Sequence, residues 1–230
     1  MKIAGLQKLS LVDYPGCLAS IVFVQGCNFR CGYCQNPDLV TSDELFDFQE
    51  KEVFDYISSR KNMLEGLVIT GGEPAIYEDL PDFIRRIKRT EIKVKLDTNG
   101  SNPGQLKSLI EERLLDYIAL DIKTSFAKYS MVTDLADAAS NVSESVRLVM
   151  ASSVAYEFRT TCVPGIVCEE DIALIGELVK GAEKHYLQQF RPIVTFDKCF
   201  QDVKPYSKET LEKFQAILSD FVKTVELRGI

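Results

Sequence analysis

Short apolar, β-branched runs recur along the chain, and a stretch with helical periodicity follows each of them. The runs are ASIVFVQ from Ala19, GLVIT from Gly66, IKVKLD from Ile92, DYIALDI from Asp116, AYEFRTTCV from Ala155 and YLQQFRPI from Tyr186. The helical stretches cover residues 44–61, 80–89, 103–113, 142–151, 169–183 and 208–223. A strand that returns parallel to its predecessor needs a crossover of this length, and helices supply it with right-handed sense. The order therefore predicts an α/β fold with a parallel sheet and outer helices, either doubly wound or a (β/α) barrel. Both architectures bind ligands at the carboxyl ends of the strands. The closing VELRGI run could add one more short strand.

Local signals support the helices. Ser42 and Asp43 precede the first, Asp79 stands ahead of Pro81, and Ser207 follows Pro205 to open the last. Gly66 and Gly181 sit near helix ends. No linker, charge block or internal repeat divides the 230 residues, so the chain reads as one domain, 1–230, with an N-terminal extension over about 1–18. The net charge of −7 speaks against a nucleic-acid partner, which calls for clustered Lys and Arg. The RRIKR run, Arg85 to Arg89, lies in a helical pattern and reads as a solvated face. No apolar run is long enough to span a bilayer, and the first residues lack the apolar core of a signal peptide. A cytoplasmic protein without a membrane partner is expected.

Seven cysteines cannot all pair, which argues against a complete disulfide framework. Three of them, Cys27, Cys31 and Cys34, lie in the loop GCNFRCGYCQNP directly after the first run. Such spacing lets three thiolates converge on one small object. Zinc would want a fourth ligand, but His185 is the only histidine and no second close cysteine pair exists. An iron–sulfur cluster with one iron left open fits the ligand count better. Cys17, Cys162, Cys168 and Cys199 are scattered and read as free thiols. After the second run comes Gly71-Gly72-Glu73-Pro74. It admits two readings: a turn, or a close approach of a ligand to bare backbone beside a carboxylate.

Taken together, a Cys-x3-Cys-x2-Cys loop after the first strand and GGEP after the second resemble the radical S-adenosylmethionine superfamily. The resemblance implies a partial (β/α)6 TIM-like barrel carrying a [4Fe–4S] cluster at the carboxyl ends of its strands. Cys27, Cys31 and Cys34 would hold that cluster, and S-adenosylmethionine would occupy the open iron. Gly71, Gly72 and Glu73 would meet its amino group, and Tyr33 would lie near its adenine. Asp97-Thr98-Asn99-Gly100 and Asp121-Ile122-Lys123 are similar to the DTNG and D-x-K motifs of glycyl-radical-enzyme activases, typified by pyruvate formate-lyase activase. This implies cofactor contacts at Asp97 and Lys123, and a monovalent cation held by Asp97, Thr98 and Asp121. From the residues alone, a buried Asp–Lys pair supporting the barrel mouth is the alternative.

The stretch Leu11-Val12-Asp13-Tyr14-Pro15-Gly16 resembles that family's Asp-Gly-Pro-Gly segment, with Tyr14 in place of a glycine. With the cysteine loop it looks most like the activating proteins of anaerobic ribonucleoside-triphosphate reductase. By position, Asp13 and Arg159 would lie near the partner's glycyl loop, or would form an ordinary salt bridge. One departure stands out: the formate-lyase branch carries a histidine near the cofactor on its sixth strand, where this chain has Gln189-Phe190-Arg191. His185, at the start of that strand, reads as a surface or packing residue.

The implied reaction is one-electron reduction by flavodoxin or ferredoxin, cleavage of S-adenosylmethionine, and removal of an α-hydrogen from a glycine of the partner enzyme. Two other functions compete. One is a radical enzyme with a small-molecule substrate, of the 7-carboxy-7-deazaguanine synthase kind. The other is a non-enzymatic iron–sulfur carrier or zinc-stabilised module.

Overall fold

A computed structural model describes residues 1–41 and 48–230. Eight strands form a single sheet in chain order: β1 (Ile3–Ser10), β2 (Ala19–Val24), β3 (Gly66–Gly71), β4 (Lys93–Thr98), β5 (Tyr117–Asp121), β6 (Ala155–Cys162), β7 (Lys184–Gln189) and β8 (Thr224–Arg228). From β2 to β8 every pairing is parallel, and the sheet is unclosed, with β1 and β8 at its edges. This is the partial TIM-like barrel, and the closing run supplies its last strand.

The crossovers carry seven helices among the described residues: α1 (Pro37–Thr41), α2 (Glu50–Ser59), α3 (Leu80–Lys88), α4 (Pro103–Glu111), α5 (Ala138–Ala151), α6 (Glu169–Leu178) and α7 (Lys208–Ser219). The expected caps at Ser42 and Asp43 lie outside the described residues. Instead α2 opens with a capping box between Gln49 and Glu52. Ser207 caps α7, its Oγ accepting from the Thr210 N–H at 3.3 Å. Asp79 precedes α3 without capping it, and its carboxylate meets the amino terminus of Met1. The RRIKR face is solvated but compensated: Arg85 bonds Glu112 at 2.6 Å, and Arg86 bonds Glu50 at 2.5 Å and stacks on Phe54.

The first eighteen residues are more than an extension. They hold β1, which returns into β2 through the connection of residues 11–18 and pairs with it antiparallel. Gln7, Lys8 and Leu9 are exposed on this edge strand, so it lacks the continuous buried run that marks β2 to β5 and β7.

Side chains alternate between the two faces of the sheet. Val22, Leu67, Leu96, Leu120, Phe158 and Leu187 pack outward under the helices in the main core. Ile69 belongs to the same row: it is fully buried and pairs with Leu96 across the β3–β4 ladder. The opposite, concave face is apolar only near β2 and β3, where Tyr14, Cys17, Ala19, Ile21 and Val68 form a small second core. On β4 to β8 it carries Lys95, Asp97, Tyr117, Asp121, Glu157, Arg159 and Arg228, several of them buried. His185 on β7 is fully buried, which settles its reading as a packing residue. The Thr160 hydroxyl donates to the Ile122 carbonyl at 2.8 Å, so His185 Nε2 must donate to that hydroxyl at 3.0 Å.

Candidate active site

The strand ends at the carboxyl edge of β2 to β7 surround a cavity of about 280 Å³. All three clustered cysteines line it, together with Glu73, Asp97 and Lys123. The cysteine loop starts where β2 ends, and Gly26 (φ +84°) turns it over the sheet edge. The Cys34 N–H donates to the Cys31 carbonyl at 2.9 Å, and the Phe29 N–H donates to Cys27 Sγ at 3.4 Å. Burial pushes the Cys27 thiol up to about 12, with the nearby Glu73 adding to the shift. Burial also raises Cys31. In the metal-free protein these two sulfurs therefore keep their protons, and thiolate ligation would release them.

In the GGEP segment the close approach to bare backbone comes from the protein's own chain. Gly71 has φ +113°, and a Cβ on Gly72 would stand 1.9 Å from the Gly26 carbonyl oxygen. The bare backbone is required by the protein's own cysteine loop, because the Glu73 N–H donates to that same carbonyl at 2.8 Å. Glu73 is almost completely buried. Its carboxylate accepts from Thr98 Oγ1 at 2.6 Å, the Asn99 N–H at 2.6 Å and the Ala75 N–H at 3.0 Å. Burial pushes it up to about 7, against the pull of these three donors.

Charge on the cavity floor is paired. Arg159 donates from Nε to Asp121 at 2.6 Å and from Nη1 to Asp97 at 3.0 Å. Asp121 is the register partner of Arg159, whereas Asp97 lies one strand further on, beside Ala119. The small Ala119 side chain leaves room for the guanidinium to reach across. Lys123 bonds Asp121 at 2.9 Å, and Lys95 pairs with Asp97 at 2.9 Å. Burial works against the Asp121 carboxylate, but Arg159 and Lys123 override it and hold it below the usual carboxylate range. Burial likewise penalises the Lys123 ammonium, and the charge and hydrogen bond of Asp121 more than compensate, so it lies above the ordinary lysine value.

These contacts sort the expected site residues. Cys27, Cys31, Tyr33, Cys34, Gly71, Gly72, Glu73, Asp97, Thr98, Asp121, Lys123 and Arg159 all border the one cavity. The alternative of an Asp–Lys pair at the barrel mouth is present as the Asp121–Lys123 bond. Thr98, Asp97 and Asp121 do not stand open as a trio: the threonine hydroxyl serves Glu73, and Arg159 lies between the carboxylates. Asp13 is not among the cavity residues, and among the described residues it shares no ion pair with Arg159. Its carbonyl accepts from Lys95 at 2.7 Å and its carboxylate takes the Ser10 hydroxyl.

The radical SAM superfamily model matches residues 21–173, which span the cysteine loop, GGEP, DTNG and D-x-K segments. This chain belongs to the radical SAM superfamily. A Methanocaldococcus jannaschii protein described as a glycyl-radical enzyme activating enzyme is 30% identical over 99% of this chain and 96% of its own length. The pyruvate formate-lyase 1-activating enzyme of Escherichia coli is 29% identical, with 96% of each chain covered. The protein is thus a radical SAM enzyme of the activase-like kind. In fold it is similar to Streptococcus suis SuiB bound to S-adenosylmethionine, with a TM-score of 0.64 and 14% identity over 91% of this chain and 52% of SuiB. It spans about half the length of that protein.

Membership of the radical SAM superfamily implies a [4Fe–4S] cluster and S-adenosylmethionine. The donor set fits: three cysteines of one loop border the cavity, no fourth cysteine and no histidine lines it among the described residues, and polar groups face them across it. Sequence reasoning missed a strap of chain after β7. The Phe196 N–H donates to the Cys34 carbonyl at 3.0 Å, and the Asp197 N–H to the Gly32 carbonyl at 2.8 Å. Phe200 packs edge-on against Tyr33 and presses on Gly32, where a Cβ would stand 2.5 Å from its ring. Gln188, Thr161 and Phe196 also border the cavity, where no histidine reaches. No local pattern announces a strap, because its partners are backbone groups far away in sequence.

Proposed function

We propose that this enzyme cleaves S-adenosylmethionine reductively and generates a glycyl radical on a partner enzyme, an anaerobic ribonucleoside-triphosphate reductase. The observation that carries the reading is the single cavity shared by three loop cysteines and the Glu73, Asp97 and Lys123 side chains. Cys27, Cys31 and Cys34 hold the cluster. The bound cluster and S-adenosylmethionine supply the one-electron cleavage and the hydrogen-abstracting radical. Glu73, with Gly71 and Gly72, receives the methionine amino group, since a buried carboxylate suits an ammonium. Lys123 and Asp97 contact the cofactor's polar atoms, and Tyr33 borders its adenine.

Arg159 has a double part in this reading: it compensates Asp97 and Asp121, and it presents a fixed charge toward the entering peptide loop. A monovalent cation at Asp97, Thr98 and Asp121 would have to displace that guanidinium, so the arginine supplies the positive charge there. Asp13 faces the partner from the turn between β1 and β2. No residue needs to act as a general base, consistent with a cavity without histidine. Flavodoxin or ferredoxin is the electron donor, in the cytoplasm. Among the described residues no helix is long and apolar enough to cross a membrane.

The test is anaerobic reconstitution with iron and sulfide, then dithionite and S-adenosylmethionine. The wild type releases 5′-deoxyadenosine and Cys31→Ala does not; release by that variant overturns the ligand assignment. Co-incubation with the reductase then gives a glycyl EPR doublet. Release of 5′-deoxyadenosine without a doublet on any glycyl enzyme, but with turnover of a small molecule, favours the small-molecule reading instead.

A further inference from the structure

The cavity has two halves on different parts of the chain. One is the cysteine loop after β2, and the other is the cradle formed by the loops after β3 and β4. Backbone bonds join them at Gly26, ahead of the first cysteine. Beyond that point, a cluster of amide side chains makes the connection.

Asn28 follows Cys27 directly. Its Oδ1 accepts from Asn99 Nδ2 at 2.9 Å, and its Nδ2 donates to Ser101 Oγ at 2.7 Å. Asn99 Oδ1 accepts from the Ser101 N–H at 2.9 Å, which closes a three-residue ring. The Asn99 N–H donates to Glu73 at 2.6 Å, so the ring continues into the buried carboxylate of the cradle. Asn99 and Ser101 are buried. The Ser101 carbonyl and the Gly100 carbonyl are anchored in turn by Asn141 at 3.1 Å and Ser145 at 2.7 Å, both on α5.

The ring has one sense. A backbone N–H can only donate, so the Ser101 N–H fixes Asn99 Oδ1 on its side. Asn99 Nδ2 must then face Asn28, which turns Asn28 Oδ1 toward it and Asn28 Nδ2 toward Ser101 Oγ. Every polar atom of the two amides that enters the ring is matched, and a sheltered, fully matched network specifies one geometry.

We propose that Asn28 and Asn99 are positioning residues that fix the cysteine loop against the Glu73 cradle, so that one ligand can span both. Neither side chain is required to touch the ligand. Their part is to set the separation of the two halves, which a cofactor held at both ends would sense directly.

The first test uses the metal-free full chain and does not depend on the proposed function. Native-state alkylation with iodoacetamide is followed cysteine by cysteine in wild type and Asn28→Ala. Cys27 and Cys31 should react about tenfold faster in the variant as the loop opens locally. Cys162, fully buried on β6, should keep its wild-type rate. Asn28→Asp, whose two oxygens can accept from Asn99 and from the Ser101 hydroxyl, should show no acceleration. Unchanged Cys27 and Cys31 rates in Asn28→Ala overturn the proposal. So does a parallel rise at Cys162, which would make Asn28 a general stability residue.

The second test rests on the proposed function. Reconstituted Asn28→Ala should retain wild-type iron and sulfide but need about tenfold more S-adenosylmethionine to alter the EPR signal of the reduced cluster. An unchanged concentration dependence overturns the positioning role. If the wild type itself shows no such response, the proposed function fails, while the alkylation result still judges the loop assignment.

Discussion

Neighbouring residues on β4, β5 and β6 live in opposite surroundings. Val94, Leu96, Ile118, Leu120 and Phe158 point under the helices and are fully buried among apolar groups. Lys95, Asp97, Asp121, Glu157 and Arg159 point the other way, and they too are largely removed from water. The first set needs only complementary shape. The second needs a partner for each charge, because an unpaired buried charge is far more costly than an exposed one. Glu157 shows the rule away from the cavity: it is fully buried and accepts from Arg228 at 3.0 Å and Tyr117 at 2.9 Å. The helix-facing side holds the fold together, and the concave side spends part of that stability on fixed charge where a ligand enters.

Adjacent residues offer the strongest way to break this contrast. Phe158→Ala should cost about 3–5 kcal/mol by opening a cavity in the core. Arg159→Ala should cost about 3–5 kcal/mol by leaving Asp97 and Asp121 less compensated. Denaturant unfolding of the metal-free protein measures both. The two losses differ in how they are repaired: Arg159→Lys, which keeps a positive charge between Asp97 and Asp121 and leaves their bonds to Lys95 and Lys123 in place, should lose much less than Arg159→Ala. No charge change repairs Phe158→Ala.

His185 carries the contrast into pH. It is a titratable group on the helix-facing side, and burial lowers it to about 3. Above the ordinary histidine value of about 6.5 it is neutral in both states and has no effect. As pH falls from there toward about 3, the unfolded chain takes up a proton that the folded protein refuses, so stability declines. Read as the difference between wild type and a His185 variant, the His185 contribution at pH 5 should be a loss of about 2 kcal/mol relative to pH 8; Glu73, pushed up to about 7, contributes with the opposite sign and cancels in that difference. His185→Gln, which can still donate to Thr160, should flatten that part of the profile.

Gly72→Ala tests the junction of loop and cradle. Its Cβ would meet the Gly26 carbonyl at 1.9 Å, so the backbone must part. The expected loss is about 1–3 kcal/mol, with weaker S-adenosylmethionine binding measured by the EPR response. The smallest effect belongs to the cap far from the cavity. Ser207→Ala should cost about 1 kcal/mol in thermal unfolding and leave 5′-deoxyadenosine release unchanged.

Much of the fold was legible because its signals are local. The six parallel runs and their helices follow from periodicity, and only the ends moved: α5 starts at Ala138, ahead of the expected 142, and α6 stops at Leu178 before Gly181 (φ +86°). The strand β1 escaped because, as an exposed edge strand, it has no continuous apolar run. The short helix α1 escaped because five residues leave no period to read. In the site, cysteine spacing and the GGEP, DTNG and D-x-K segments were readable along the chain, whereas the strap and the Asn28–Asn99 ring were not.

The sequence by itself determined the order of strands and helices, the end of the sheet where chemistry would gather, and the three cysteines that border the cavity there. These depend on spacings of a few residues, which the backbone enforces directly. Only the tertiary structure decided which charges are paired and which loops are tied together. Arg159 meets Asp97 across 62 residues and Asn99 meets Asn28 across 71. Such contacts depend on strand register, on the small side chain of Ala119 between two strands, and on the fixed direction of one backbone N–H. None of these is a property of a short segment.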